Sequence, residues 1–371
     1  MSTVLHICHV TTVHPSKDVR IFHKECRSLA KAGHRVTLLV GNGITESIDG
    51  VEIKAVEVDY TGRLSRFLKL GKSIYKAALN ENADIYHFHD PEFLRFAKKL
   101  KVKGFKVVYD VHEDLPRQLL NKHYLPKVIS SMLSKILERY ENKIAKCLDA
   151  IVTATDHITE RFSSINPNST SIKNYPILDE ILSPSPFSEK ENFACYVGSL
   201  TRVRGIVELV KAMEGTSFRL QLAGKFSPVE LEEQMKSTKG WQNVDFYGWA
   251  DRRMVQEILK KSMVGMVTLH PIINYMDALP VKMFEYMAAG LPVVTSDIPL
   301  WKEIVETAGC GIAVDPYNPE AIKEAITSLT SDRTSAEQMG LNGRKAVEEK
   351  FNWTNEERKL LEIYYNLSKN E

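Results

Sequence analysis

The stretch DALPVKMFEYMAAGLPVVTSD, residues 277–297, holds a helix and a strand together with their punctuation. Pro280 suits the first turn of a helix, where its missing N–H would have no partner. Gly290 stands where a helix C-cap belongs, and PVVTS (292–296) reads as a buried strand. The amides that follow Ala278, around Leu279, Pro280 and Val281, lie at the helix start, where backbone N–H groups favour an anion. Lys282 and Glu285 are three apart and share one helix face. A carboxylate accepts hydrogen bonds from two neighbouring hydroxyls, as a ribose offers. The plain alternative is a surface Lys–Glu pair.

The same helix–strand rhythm runs outward in both directions. Strands are predicted at 3–10, 35–40, 51–58, 84–90, 106–112 and 150–155, and again at 193–197, 218–223, 243–247, 264–269, 292–296 and 312–314. Helices are predicted between them, among them 19–32, 64–79, 92–100, 126–147, 205–213, 280–289, 335–349 and a last one over 353–368. Strands alternating with helices imply a parallel sheet covered on both faces. The stretch NYPILDEILSPSPFSEKEN (174–192) breaks the rhythm with three prolines and marks the domain boundary. The expected organisation is two doubly wound α/β domains, 1–180 and 181–350, and a closing helix, 351–371. Ligands are expected at the carboxyl ends of the two sheets, in a cleft between the domains.

Composition agrees with this frame. Of 371 residues, 43% are apolar and 26% charged, which excludes a mainly disordered chain. There is no run of about 18 apolar residues, so no transmembrane helix is expected. The start, MSTVLHICHVTTVHP, lacks the features of a signal peptide. Cys8, Cys26, Cys147, Cys195 and Cys310 are scattered without zinc spacing, which suits a reducing cytoplasm. The net charge is +2. Residues 1–185 carry 27 basic against 21 acidic side chains, hence +6, and the remainder is −4. An anionic partner is therefore expected on the first half.

GSLTRVRG (198–205) follows one strand and opens a helix. Gly198 permits a tight turn, and Arg202 and Arg204 add positive charge beside the helix start. Neither GxxxxGK[ST] nor GxGxxG is present, which argues against a P-loop and against a dehydrogenase. The plain alternative is a strand–helix turn with solvated arginines.

Taken together, these motifs resemble the retaining GT-B nucleotide-sugar glycosyltransferases of glycosyltransferase family 4 (glycosyl transferases group 1). The resemblance rests on PVKMFEYMAAGLPVV (280–294), supported by YVGSLTRVRG (196–205), LAGK (222–225), FYGW (246–249), GCGIAVDP (309–316) and KNYP (173–176). It implies a GT-B fold, two Rossmann-like domains whose last helix returns to the first. It also implies a nucleoside diphosphate sugar donor, UDP ahead of GDP, and no metal or other cofactor. In the family's G-R-L-x-x-x-K-G loop, Arg and Lys hold the diphosphate. Arg204 stands at the Lys position, while Ser199 replaces the Arg, a loss for which Arg202 is expected to compensate. In the family's E-x7-E motif, Glu285 resembles the ribose-binding Glu. Asp277 stands for the first Glu, one methylene shorter, near the donor sugar or anomeric carbon. Lys225 and Tyr247 resemble loops that flank the nucleobase.

In the first half, YDVHED (109–114) closes a strand, and the resemblance places His112 beside the donor sugar and reacting centre. His89 and Asp90, in HFHDPE (87–92), and Glu113 are expected on the acceptor side. His14, Lys17 and Arg20, in the first loop, are expected there too. Histidines at 87 and 89 near two carboxylates also read as a metal site. Spacing places no third ligand, so no metal is expected. The segment 62–79, with Leu64, Phe67 and Ile74 among Arg63, Arg66, Lys69, Lys72 and Lys76, reads as a helix resting on the core. The other reading is a contact with an anionic membrane face, reaching a lipid-linked acceptor. The expected activity is sugar transfer to a hydroxyl of a glycan or lipid-linked acceptor, in bacterial cell-surface polysaccharide or glycan assembly. The alternatives are a non-catalytic sugar-nucleotide-binding subunit and another GT-B enzyme, an epimerase or hydrolase. Nucleic acid is excluded as a partner, because the basic excess is small and no Arg/aromatic strip is present.

Overall fold

A computed structural model of the chain describes residues 4–41, 43–59, 62, 69–120, 126–181 and 184–369. It divides into two compact units, residues 1–174 with 354–371, and residues 175–353.

Unit 1 is built on eight strands: β1 (His6–Thr11), β2 (Arg35–Val40), β3 (Glu46–Ile48), β4 (Val51–Ala55), β5 (Ile85–Phe88), β6 (Lys106–Val111), β7 (Ala150–Thr153) and β8 (Ser169–Ser171). Their order is 3-4-2-1-5-6-7-8, parallel throughout except for β3, which pairs antiparallel with β4. The central strands β1, β5, β6 and β7 are buried almost from end to end, as helices on both faces require. Phe88 and Tyr109 stack across β5 and β6 at 4.5 Å, in a core shared with Tyr86, Phe93 and Phe162. The chain reverses direction across the sheet between β1 and β5. Such a switch point leaves a crevice at the carboxyl ends of the strands.

Unit 2 repeats the design with β9 (Phe193–Val197), β10 (Arg219–Ala223), β11 (Val244–Gly248), β12 (Val264–Val267), β13 (Val293–Ser296) and β14 (Gly311–Val314). Their order is 11-10-9-12-13-14, all parallel, with the switch between β9 and β12. The decisive stretch folds as read. Pro280 precedes the helix Val281–Ala288, Gly290 follows at φ 70°, and Leu291 and Pro292 lead into β13.

The last helix, Trp353–Lys369, belongs to unit 1 from Thr354 onward. It buries Glu356, Leu360, Tyr364 and Leu367. Glu356 accepts from the Lys173 amide at 2.9 Å, and Lys359 Nζ donates to the Ser171 carbonyl at 3.1 Å. The last helix therefore returns to the first sheet.

Several short elements escape a periodicity reading, among them β3, β8 and the helices Leu115–Leu120, Asp156–Ser163 and Ile273–Met276. Each spans too few residues to show a period. The helix predicted over 19–32 divides. Val19–Cys26 is a wide helical segment in which Phe22 and His23 both donate to the Asp18 carbonyl, at 3.0 and 3.1 Å. The Asp18 carboxylate caps it through Arg20 N and Ile21 N. The extra residue per turn carries Arg20, Lys24 and Glu25 inward together.

The helix predicted over 64–79 is described as Gly71–Glu81, with Ile74 and Ala78 buried and Lys72 and Lys76 exposed. Arg63, Leu64, Arg66 and Phe67 lie outside the described residues. No helix among the described residues is long and apolar enough to cross a membrane. Substituting Leu360→Ala should remove about 2–5 kcal/mol of stability by opening a cavity under the last helix. Chemical denaturation would show it, and an unchanged midpoint would mean that the helix does not hold unit 1.

Candidate active site

In unit 2 the loops after β9, β10 and β11 are laced edge to edge. Gly198 N donates to the Ala223 carbonyl at 2.9 Å, and Leu200 N to the Lys225 carbonyl at 3.0 Å. Gly224 has φ 151°, and a Cβ there would lie 1.8 Å from the Gly198 carbonyl oxygen, so only glycine fits. Gly198 itself has φ 135°. The space that its side chain would fill is bordered by Lys282 Nζ at 3.0 Å and Arg204 Nη1 at 3.8 Å.

Lys282 Nζ is buried and has no hydrogen-bond partner. It sits 3.5 Å from the centroid of the Tyr196 ring. A desolvated cation–π contact returns about 2 kcal/mol, less than the cost of burying an ammonium without a counter-charge. Burial, then the Arg204 guanidinium, hold the Lys282 pKa well below its ordinary value, and Glu285 only partly opposes them. An anion above Gly198 would satisfy both cations.

The other expected donor residues divide. Arg202, expected to replace a missing charge, turns to Gln234 instead. The amides of Arg204 and Gly205 are spent on the carbonyls of Thr201 and Arg202, because residues 202–204 form a tight turn that delays the helix to Ile206. They are therefore not free for an anion, contrary to the expectation for this loop. Leu279, Pro280 and Val281 are half-buried at the start of Val281–Ala288, and Trp301 Nε1 holds the preceding turn through the Ala278 carbonyl at 2.7 Å. Glu285 is exposed on that helix, and Asp277 is exposed at the end of Ile273–Met276. Lys225 is exposed beside Gly224. Tyr247 lines a separate cavity of about 360 Å³ with Gln221, Asp251, Met254 and Ile258. Tyr196 was not singled out in the sequence, since its ring is recognisable as a seat for Lys282 only once β9 lies beside Val281–Ala288.

In unit 1 the carboxyl ends of β1, β5 and β6 gather a buried polar cluster. Arg20 donates from Nε and Nη2 to both oxygens of Asp110, at 2.8 and 2.7 Å, and from Nη1 to the Ile172 carbonyl at 2.7 Å. Burial works against the Asp110 charge, but Arg20 and then His112 overcome it and hold the carboxyl well below its usual range. Asp110 Oδ2 stands 2.8 Å from His112 Nε2 and 3.1 Å from His89 Nδ1. With Nε2 assigned as the donor, His112 keeps Nδ1 as an acceptor. Beside it lies the His14 ring, with centroids 4.8 Å apart. Burial opposes protonation of His14, and Asp18 and Asp90 outweigh it and raise the pKa.

The acceptor-side expectation needs correcting for three residues. Arg20, His89 and Asp90 are buried. Asp90 accepts from Thr11 Oγ1 and Thr12 N, at 2.8 and 2.6 Å, and so shapes the loop that carries His14. Arg20 and His89 act on His112 through Asp110. Lys17 pairs with Glu46 at 3.1 Å, and Glu113 is exposed and paired with Gln118. His112 and His14 remain as the half-buried groups of the cluster.

Folding gives His87 and His89 the further neighbours with ligand atoms that spacing does not, contrary to the expectation of no third ligand. Donor atoms of His9, Glu25, His87 and His89 lie within 4.8 Å of one another. A hydrogen-bonded chain joins the rings: His87 Nδ1 to Tyr364 Oη at 2.6 Å, Tyr364 Oη to His9 Nε2 at 3.4 Å, and His9 Nδ1 to His89 Nε2 at 2.9 Å. Burial lowers the pKa of all three histidines and raises that of Glu25, whose neighbour Asp110 adds to the rise.

Two family models match the chain, Glycosyltransferase Family 4 over residues 19–172 and Glycosyl transferases group 1 over residues 179–346. D-rhamnosyltransferase WbpZ of Pseudomonas aeruginosa is 23% identical over 286 residues, 74% of this chain and 71% of that protein. The uncharacterized glycosyltransferase MJ1607 of Methanocaldococcus jannaschii is 28% identical over 47% of this chain, and the match spans 45% of that protein's own length. Among solved structures, sucrose-phosphate synthase from Thermosynechococcus elongatus superposes with a TM-score of 0.80 at 18% identity, covering 99% of this chain and 100% of that one. Anabaena Alr3699/HepE in complex with UDP gives 0.73 at 14% identity, covering 98% and 100%. The fold is therefore that of the GT-B glycosyltransferases.

The buried cluster sets the response of unit 1 to acid. Its three histidines have folded pKa values below the ordinary 6.5, so their contribution is present above that pH and is lost as pH falls. Glu25, raised above 4.5, works in the opposite direction, but it is one group against three. Below pH 6.5 stability should fall by up to about 2.7 kcal/mol per pH unit, the weight of two net protons. Denaturation midpoints measured from neutral to mildly acidic pH test this, and a flat profile would refute neutral buried histidines.

Proposed function

We propose, for a chain that belongs to the GT-B glycosyltransferases of the group 1 and Family 4 kind, that the donor is a nucleoside diphosphate sugar and that transfer retains the anomeric configuration. The observation that carries this reading is the unpartnered, buried Lys282 ammonium beside Arg204 above Gly198. Two cations on one side of an open backbone turn suit a diphosphate. Its negative charge grows as the bond to the sugar breaks, and preorganised cations stabilise such a charge most. The UDP bound by Alr3699/HepE supports a UDP-sugar as the first donor to try.

Glu285 takes the two ribose hydroxyls, and Asp277 lies toward the donor sugar. His112, its Nε2–H held by Asp110, offers Nδ1 to a sugar hydroxyl. His14 lies beside it on the acceptor side, where a hydroxyl of a glycan or lipid-linked acceptor enters. In the transfer, the bond from the anomeric carbon to the phosphate oxygen breaks, and a bond to the acceptor oxygen forms on the same face. The acceptor's proton passes to the departing phosphate oxygen, so no separate base is required. Cell-surface glycan assembly in a bacterium is the role that fits such a reaction.

A nucleoside diphosphate at about 100 times its Kd should add roughly 2.7 kcal/mol to stability, readable as a thermal shift. Lys282→Met and Arg204→Gln should each weaken binding about 10- to 150-fold, the loss of one charge-assisted hydrogen bond. No shift with any nucleoside diphosphate would overturn the reading.

Burial and Arg204 hold the Lys282 pKa below its ordinary value and a bound anion would raise it again, so binding should draw a proton onto Lys282 at alkaline pH, and affinity should fall as pH rises further. Calorimetry in buffers of different ionisation enthalpy would measure the uptake. Lys282→Met should abolish it, and uptake that persists in that variant would assign the proton elsewhere.

A further inference from the structure

The helix Lys127–Ala145 is amphipathic in the reverse of the usual sense. Its inward residues include Ser130, Ser134 and Glu141. These are satisfied one by one: Ser134 Oγ donates to the Pro116 carbonyl at 2.7 Å, and Glu141 accepts from Tyr109 Oη at 2.9 Å and from Arg161. Its outward residues include an apolar stripe. Val128, Met132 and Ile136 are 81%, 55% and 53% exposed, and Ile129, Leu133 and Tyr140 continue the stripe. Spacings of three and four put all six on one face. A surface helix ordinarily turns such a stripe to the core. Single exposed apolar residues are common, but an aligned row of six on a helix about 28 Å long marks a surface that something covers.

The charge exposed along the same helix indicates what covers it. Lys127, Lys135, Arg139, Lys143 and Lys146 are all exposed along this helix. Its two acids do not balance them, because Glu138 is held by both Arg117 nitrogens at 3.0 Å and Glu141 is buried. Beside the carboxyl end of the stripe lies a shallow cavity of about 390 Å³, lined by Arg139, Asn142, Lys143, Lys146, Ser164 and Ile165. It presents three cations and no carboxylate. An apolar ridge next to a cationic hollow matches the boundary of a bilayer, acyl chains beside phosphate headgroups. A second copy of the chain fits poorly, since two such faces would bring their cations together.

We infer that this face docks on the anionic surface of a lipid bilayer, with the apolar stripe entering the headgroup boundary and the Arg139–Lys143–Lys146 hollow receiving a lipid phosphate. The inference is independent of the donor reading, because none of these residues belongs to the nucleotide or histidine sites. Docking here would bring the unit that carries His14 and His112 to the surface where a lipid-linked acceptor resides.

The test is co-sedimentation of the full chain with vesicles of phosphatidylcholine containing phosphatidylglycerol, and with phosphatidylcholine alone. Binding is expected to the anionic vesicles, weakening with added salt. Lys143→Gln with Lys146→Gln should weaken it about 30-fold, about fivefold per cation lost. Met132→Ser with Ile136→Ser should weaken it at least tenfold. Both pairs are exposed, so thermal denaturation midpoints should match that of the unaltered chain and confirm folding. Absence of binding to anionic vesicles, equal binding to neutral ones, or binding that ignores both pairs would overturn the proposal. So would a stable dimer that the serine pair dissolves, which would make a second copy the occupant.

Discussion

The bidentate pair between Arg20 and Asp110 is the contact on which unit 1 depends. It joins the wide helical turn after β1 to the end of β6, and its third hydrogen bond, to Ile172, reaches the segment that follows β8. Removing either partner from a buried pair leaves the other charge stranded, at a typical cost of 3–5 kcal/mol. The pair also determines how Asp110 meets His112 and His89, and through His89 the order extends to His9 and Tyr364. One ion pair thus couples the closure of the sheet to the orientation of the half-buried histidine.

Unit 2 solves a different problem. Its polar elements are not mutually satisfied. The strand-end loops are held by backbone bonds and a glycine contact that excludes any side chain, and this rigid floor supports an ammonium without a partner. A protein interior seldom keeps such a group, because its desolvation is unfavourable. Retaining one where an anion can reach it exchanges folding stability for binding energy, a pattern typical of ligand sites. Tyr196 and Arg204 set the terms of that exchange, one easing the charge and the other repelling it.

The two units therefore use charge in opposite ways. In unit 1 Arg20 and Asp110 neutralise one another and fix the geometry of the rings, although Glu25 Oε1 and Oε2 and His87 Nε2 keep no hydrogen-bond partner. In unit 2 the like charges of Lys282 and Arg204 are left facing each other. The contrast follows from topology. Each sheet opens a crevice at its switch point, and in unit 1 the crevice is filled by side chains from three strands, the segment Val19–Cys26 and the last helix, whereas in unit 2 it is lined by backbone turns.

Much of this was legible in the chain itself. The strands at 35–40 and 193–197 and the helix after Pro280 follow from local period and punctuation, because side-chain alternation and helical spacing act over fewer than ten residues. Gly198, Arg204, Lys282 and Glu285 were recognisable because the motifs that carry them are contiguous. The short strands β3 and β8 were not, since three residues show no period. Nor was the burial of Arg20, His89 and Asp90, because a charged residue in a polar loop looks solvated until its partner is known.

What tertiary structure alone decided is which distant groups meet. His9 and His87 are 78 positions apart and become register partners when β5 pairs with β1, and Tyr364 reaches them only because the last helix returns to unit 1. The outward apolar face of Lys127–Ala145 is of the same kind, since periodicity shows that a stripe exists but not which way it turns. Sequence determined most of the longer elements, the two-unit architecture and the contiguous motifs that carry Gly198, Arg204, Lys282 and Glu285, because these rest on short-range geometry. Register, burial and the pairing of charges fell to the fold, because they depend on which strands the crossovers bring together.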